Sequence, residues 1–550
     1  KLWVEKQDSI LNSADKITNS LHRRNQYGSN TIDLSYLNIM DAAFNSFKDN
    51  FDDVYGGFQN SRNKFPKPHD YSFLMRYYNR TNNQKALKIV EKSLYEMKKG
   101  GIYDQIGFGF HRYSTDKKWL VPHFEKMLYD QAMLIHAYLD AYLITKDDFY
   151  KNTIEEISEY VLRDMVSKEG GFYSAEDADS QGEEGVFYIW KTSEIKELLS
   201  TEEYDYIYDI LEFNDSGNCK VEGHYTNIPH FKLSWEEIAK KYNLTKKEAI
   251  ENYHTVRDKI FNFREQRVHP QKDDKILTDW NGLMISAFAR ASHVLSTGDY
   301  AARARRAATF LIEHTKVDDR LVRSPTARAV NGFGYLDDYA FMVSGLLDLF
   351  EVTGEIRWFR EALLLDMVLE RDFEDQAEGG FFRAPIDADL LLTREKPHYD
   401  SAEPSGNAVH LLNLIRLHDF TADDRYRQRA ESAFAVFQPT LTHLPTAASE
   451  MLLALDYSLD TRKAVIIVVP TSRSEAEPFL TRLSSIFLPN RILVVAVEGS
   501  DLEEQASLIP ILVGKYAMQG MATAYVCENR VCDLPTTDPE VFFYQIQENR

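Results

Sequence analysis

Apolar side chains recur at helical spacing over most of this chain. In PHFEKMLYDQAMLIHAYLDAYL, Phe124, Leu128, Ile135, Tyr138 and Tyr142 fall on one face of a helix, and Lys126, Asp130 and Asp140 lie away from it. The same periodicity predicts helices near 35–49, 70–80, 83–98, 124–143, 147–166, 279–295, 298–315, 336–353, 356–371, 405–419, 424–438 and 446–459. Taken in pairs they make six hairpins.

Glycine pairs punctuate these helices: YGGFQN at Gly56 and Gly57, KGGIYDQ at Gly100 and Gly101, EGGFYSAEDADS at Gly170 and Gly171, and EGGFFRAP at Gly379 and Gly380. Glycine lets a helix end in the left-handed region and lets the chain pass close to a neighbour, so the recurrence implies one architectural unit used repeatedly. Six hairpins closed on themselves give a mainly α fold, an (α/α)6 toroid whose inner helices aim their ends at a central cavity; an open α-solenoid is the competing layout. The pattern breaks at about 176–276, where GVFYIWK from Gly185 reads as a β-hairpin within an insertion over the cavity mouth. Beyond Leu459 the runs KAVIIVVP, RILVVAVE and ATAYVCE mark a small α/β appendage. The expected organisation is a toroid over 1–460 and an α/β domain over 461–550.

With 550 residues, 44% of them apolar and 13% aromatic, the chain has the material for one large core and a smaller one. A net charge of −21 argues against nucleic acid or an anionic membrane as partner. Its apolar runs are too short to span a bilayer. Only Cys219, Cys527 and Cys532 are present, which excludes a disulfide framework and favours a reducing, cytoplasmic location. The chain starts at Lys1 in a helical stretch without a signal peptide, and a segment upstream is expected.

Candidate chemistry gathers in GGIYDQIGFGFHRYSTDKKWLVPHFEKMLYDQ, which carries Asp104, His111, Arg112, Asp116, Trp119, His123 and Glu125. Pro122 suits a helix start, which would place His123 and Glu125 in a first turn that favours neutral imidazole and ionised carboxylate. His111 is either a proton carrier or a hydrogen-bonded structural histidine, and Arg112 either clamps a substrate or pairs with a nearby aspartate. AEDADSQGEEG offers Asp177 and Asp179 for acid–base work or for a turn held by Asp side chains; it lacks the closing glutamate of a calcium loop. Polar groups also precede three apolar helical runs: Asp279, Trp280 and Asn281; Asp337, Asp338 and Tyr339; Glu403, Ser405 and Asn407. Helix capping accounts for one residue in each and leaves the rest for stacking on and hydrogen-bonding a sugar-like ligand. The spacing of Cys527 and Cys532 fits no zinc site, and the residues call for no metal and no cofactor.

GGIYDQIGFGFHRYSTDKKWLVPHFEKMLYDQ, GGFYSAEDADSQGEEGVFYIW, DDKILTDWNGLM, LDDYAF, DSAEPSGN and YVCENRVCDLP closely resemble, in order, the signature segments of the spermatogenesis-associated protein 20 family. FQNSRNKFPKP departs from the family's usual segment at Arg62 and Asn63, as does RSPTARAV from Arg323. The resemblance implies a six-hairpin toroid like that of sugar epimerases and six-hairpin glycosidases, and a thioredoxin-like domain upstream in full-length relatives. It implies no settled reaction. The expected activity is sugar epimerase or isomerase chemistry, with His111 and His123 exchanging protons beside a carbonyl and Arg112 orienting the substrate. A hydrolase would instead pair two carboxylates from Asp104, Glu125, Asp177, Asp179 or Asp338. A third expectation is a non-catalytic or redox-coupled scaffold serving the thioredoxin-like domain.

Overall fold

A computed structural model describes residues 6–24, 36–58, 63–221, 223–295, 299–328, 332–388 and 393–547. Arg62 lies outside them. The chain forms two compact units, one of residues 44–277 and the other of residues 1–43 with 278–550.

The mainly α class holds in both. Helix α1 (Gln7–Arg24) falls in the unit of 1–43 with 278–550 and α2 (Tyr36–Asn50) runs across the division at residue 44; the 44–277 unit is built on α3 (Pro68–Thr81), α4 (Gln84–Lys99), α5 (Leu128–Thr145) and α6 (Asp148–Tyr160). It continues through α7 (Thr192–Leu198), α8 (Thr201–Ile210), α9 (Trp235–Tyr242) and α10 (Lys246–Arg264). The other unit carries α11 (Thr278–Val294), α12 (Tyr300–Thr315), α13 (Pro325–Arg328), α14 (Leu336–Thr353), α15 (Ile356–Val368), α16 (Gly406–Thr421), α17 (Asp424–His443) and α18 (Ser449–Leu459). Every helix expected between 35 and 459 is present. Side-chain caps set several starts: Asn83, Asp147, Ser405 and Asp423 each accept a backbone N–H of the following turn.

Within each unit one helix of a pair is buried around most of its circumference and its partner on one face only. α5, α14 and α16 are of the first kind, α6 and α12 of the second. α11 lies so close to α14 that a Cβ on Gly282 would sit 2.6 Å from the Phe341 carbonyl carbon, and one on Gly345 would sit 2.6 Å from the Gly282 oxygen. Glycine there is a packing requirement.

Two of the four glycine pairs, Gly56–Gly57 and Gly379–Gly380, belong with the stretch 104–110 to one corner motif, whereas Gly170 and Gly171 close a separate turn on Ser167. In DDVYGGF (52–58), DQIGFGF (104–110) and DQAEGGF (375–381) the leading aspartate N–H donates to the carbonyl of the sixth residue: Asp52 to Gly57, Asp104 to Gly109, Asp375 to Gly380. The fifth and sixth residues are left-handed in each, with φ of 68° and 71°, 68° and 80°, and 86° and 72°. The aspartate side chain accepts backbone N–H groups inside the turn and holds a buried lysine, Lys64, Lys126 or Lys396. Gly100 and Gly101 belong to no such corner. They end α4 beneath Trp119, where a Cβ on Gly100 would lie 2.4 Å from the Trp119 oxygen.

One further expectation is corrected. Residues 185–189 form a turn begun by Gly185 at φ 78°, and the hairpin of this region is β5 (Asp179–Ser180) with β6 (Glu183–Glu184). The C-terminal segment forms a sheet in the order β13–β12–β14–β15, from β12 (Lys463–Val469), β13 (Arg491–Val497), β14 (Thr523–Glu528) and β15 (Val531–Cys532), with α19 (Glu477–Leu483), α20 (Ser500–Leu508) and α21 (Pro539–Gln547). Cys527 and Cys532 are joined by a disulfide.

Candidate functional site

In the 44–277 unit the expected helix start at 124 is displaced, because Lys126–Met127 pairs as β3 with β4 (Ala175–Glu176), and the helix begins at Leu128. His123 belongs to β2 (Pro122–His123), paired with β1 (Tyr113–Ser114). No helix N-terminus tunes it. Instead His123 Nδ1 lies 2.7 Å from Glu184 Oε1 and its Nε2 3.5 Å from Glu125 Oε2, while its ring stacks on Tyr113 at 5.1 Å. Glu125 receives Arg112 Nη1 at 3.0 Å. The hydrogen bond with Glu125, supported by Glu184, raises the imidazole pKa above its ordinary value, and the same contact with Arg112 lowers that of Glu125. His123 is therefore biased toward imidazolium, opposite to the sequence expectation. The four groups are half-buried, open to solvent on one side.

The remaining candidates here divide into buried residues with partners in the core and two exposed aspartates. His111 is 2% exposed, its Nδ1 donates to the Phe124 carbonyl at 2.8 Å, and its ring is edged between Phe124 and Tyr188. Burial drives its pKa to about 3, so a base of near-neutral pKa is not found at His111. Asp104 is buried between Arg264 Nη1 at 2.8 Å and Lys126 Nζ at 2.9 Å, and also accepts the N–H groups of Ile106 and Gly107. Burial alone would raise its carboxyl; Arg264 and Lys126 outweigh that and hold it well below the usual carboxylate range. Trp119 is fully buried with its Nε1 donating to the Tyr55 carbonyl, and presents no face to a ligand. Asp177 and Asp179 are exposed, and Asp177 only accepts the Asp179 N–H at 3.4 Å. Glu176, between them and β3, turns inward to accept from Tyr160 and Tyr188. Lys126, placed by periodicity on the polar side, is 1% exposed.

The second site lies in the other unit, where the starts of α11 and α14 meet the loop before α16. Asp279 Oδ2 accepts Arg323 Nη1 at 3.0 Å, and Asp279 N–H donates to Asp338 Oδ1 at 3.1 Å. Asp338, fully buried, also accepts the Tyr335 N–H at 2.8 Å. Trp280 Nε1 donates to Glu403 Oε2 at 2.8 Å. Asp337 stands so close to Gly406 that a Cβ there would lie 2.4 Å from its Oδ1. Four carboxyls share this cluster with Arg323, and Arg383 also acts on Asp337, lowering its pKa more than Arg323 does. Burial, reinforced by Asp279, pushes Glu403 up to about 8 and Asp337 up to about 6, and raises Asp338 strongly. Trp280, Asp337 and Glu403 keep partial exposure, so protonated and ionised carboxyls coexist at a solvent-reachable surface near neutral pH.

Several residues assigned to ligand binding in this unit serve the fold. Tyr339 is buried and its hydroxyl receives the Leu321 N–H at 2.8 Å. Ser405 caps α16. Asn407 Oδ1 accepts the Phe381 N–H at 2.8 Å, and its Nδ2 donates to the carbonyls of Phe381 and Pro397. Asn281 is fully buried in α11. Arg323 is the residue that the sequence pattern does not single out for this cluster: it stands alone in a loop, where no pattern marks it. Among the described residues no cluster of metal-ligand side chains is arranged to hold an ion, and no helix is long and apolar enough to cross a membrane.

These features define a helical-hairpin protein with a carboxyl-rich site at the ends of its most buried helices. No protein-family model matches the chain. It is 33% identical over 576 residues to human spermatogenesis-associated protein 20, covering 98% of this chain and 73% of that one. An uncharacterised protein of Caenorhabditis elegans is 31% identical over 532 residues, covering 90% and 72%. The chain belongs to the spermatogenesis-associated protein 20 family. Among solved structures, a D-mannose isomerase covers 75% of this chain and 88% of its own at 11% identity, with a TM-score of 0.48.

Proposed function

We propose that the protein is an acid–base enzyme acting on a sugar-like, hydroxyl-rich ligand, with its reacting groups at the start of α11 and α14 and in the loop before α16. The observation that carries this reading is the separation of Glu403, protonated to about pH 8, from Asp337, which ionises near 6, at one partly exposed surface. At neutral pH Glu403 donates a proton to a leaving or ring oxygen and Asp337 receives one. Trp280 offers an aromatic face, fixed through its Nε1 by the same Glu403, and Arg323 and Arg383 supply donors for hydroxyl or carboxylate oxygens. This division of labour supports the paired-carboxylate alternative over exchange between two histidines, since His111 is sealed in the core.

A second reading rests on His123. Its ring, half-exposed between Glu125 and Glu184, is suited to donating a proton, and a sugar isomerisation relayed by this single imidazole keeps part of the epimerase expectation.

The test is calorimetric titration of the purified chain with a panel of monosaccharides, disaccharides and uronic acids, followed by turnover assays on those that bind. Trp280→Ala should abolish binding; Glu403→Gln should keep binding and lose turnover. If no sugar binds the folded chain, the proposal falls; if turnover survives Glu403→Gln and dies in His123→Gln, the second reading replaces the first.

A further inference from the structure

The C-terminal sheet holds a sulfur pair that the carboxyl site does not use. β14 and β15 are joined by Asn529 and Arg530, both left-handed at φ 49° and 67°, and the disulfide ties Cys527 to its register partner Cys532. The two sulfurs have different surroundings. Cys527 is 1% exposed on β14, whereas Cys532 lies half-buried on β15, the edge strand, between Val531 and Leu534, which are 75% and 86% exposed. Lys515 Nζ is 3.5 Å from Cys532 Sγ. Cys527 borders a cavity of about 330 Å³ in which Arg427, Arg462, Lys463 and Arg530 outnumber Asp419 and Asp424, with His418 also in the lining. Arg462 pairs with Asp419, Lys463 with Glu528, and Arg427 with Asp424 and Glu431, which leaves Arg530, on the exposed turn, as the remaining cation of the lining.

We propose that Cys527–Cys532 is a thiol–disulfide exchange site that accepts two electrons from a dithiol donor. The donor thiolate, drawn by Lys515, attacks Cys532 Sγ along the open sheet edge; the S–S bond breaks and Cys527 leaves as a thiolate at the cavity that Arg530 lines, then takes a proton from water. The donor's second thiol, deprotonated, attacks the donor sulfur of the mixed disulfide. This closes the donor's own disulfide and releases Cys532 as a thiolate beside Lys515, where it is protonated. Two electrons and two protons have then passed from the donor to the hairpin. The assignment is independent of the carboxyl site.

The experiment reduces the full chain with dithiothreitol, follows Cys527 and Cys532 by alkylation and mass spectrometry, and records far-UV circular dichroism on the same samples. The hairpin should be reduced with the helical signal intact. Lys515→Gln should slow the reaction about tenfold, the effect of losing one charge at close range, and Lys515→Arg should restore most of the rate. Arg530→Ala, on the exposed turn, should slow it about threefold through the leaving thiolate and serves if the Lys515 variants fold poorly. Reduction that occurs only as helicity is lost, or rates indifferent to both Lys515→Gln and Arg530→Ala, overturns the proposal and leaves a structural staple.

Discussion

Two carboxylate clusters sit before buried helices in the two units, and their opposite behaviour follows from the ratio of acids to cations. Asp104 has two cations within 3 Å, Lys126 and Arg264, and backbone donors besides. It stays ionised in the core. Asp279, Asp337, Asp338 and Glu403 have two arginines among the four of them, Arg323 and Arg383, so each unneutralised charge discourages the next and the group retains protons. The first arrangement holds a corner together; the second stores removable protons at a reachable surface. A carboxylate pattern in sequence therefore says little until the cations around it have been counted.

The comparison is broken most directly at Asp104. Asp104→Asn strands Lys126 and Arg264 in the core and should destabilise the protein by about 3–5 kcal/mol in chemical denaturation. A loss below about 1 kcal/mol would mean that the corner does not depend on this charge. Next come the amides that hold the backbone after each corner. Gln131 binds the N–H and carbonyl of Phe110, as Asn407 does those of Phe381, so Gln131→Leu and Asn407→Leu should each cost about 2–3 kcal/mol. Unequal costs would show that the two corners are not energetically equivalent.

The carboxyl cluster should reveal itself through pH rather than through stability at pH 7. Glu403 keeps its proton to about 8 in the folded chain against 4.5 for an ordinary glutamate, and Asp337 to about 6 against 3.8. The native state binds the extra protons, so the stability they contribute is complete below the ordinary values and disappears as pH rises through 6 and then 8. Asp104 works in the other direction, its contribution being lost as pH falls through its depressed value. Denaturation midpoints between about pH 5 and about pH 8 should fall in the wild type and flatten in Glu403→Gln. Parallel curves would show that Glu403 is not raised. The smallest effect is expected at the exposed pair: Asp177→Asn and Asp179→Asn should change stability by less than about 0.5 kcal/mol and leave activity intact.

Helix positions were readable in the sequence because long amphipathic segments and their caps carry a strong periodic signal, as at Asn83 and Asp423. The start of α5 was misread because Pro122 and Glu125 imitate a helix entrance; pairing of Lys126 and Met127 with Ala175 and Glu176, some fifty residues away, takes that stretch into a sheet. Burial of Lys126 was equally hidden, since its counter-ion Asp104 and the Phe108 carbonyl become neighbours only when the corner closes. Of the second site, Asp279, Trp280, Asp338 and Glu403 were visible as unexplained polar residues ahead of apolar runs. Asp337 was visible in the same way, but the meeting of these residues with one another and with Arg323 was not, because it depends on helix ends brought together by packing.

The corner shared by 52–58, 104–110 and 375–381 carries its own left-handed residues and an aspartate that satisfies its inner N–H groups, while its lysine partner and, at two corners, an amide of the following helix come from outside it. Such a corner behaves as an interchangeable bracket. Exchanging DDVYGGF for DQAEGGF at its corresponding place should leave a foldable chain, and the loops beyond each bracket are free to lengthen or acquire new side chains while the helices stay fixed.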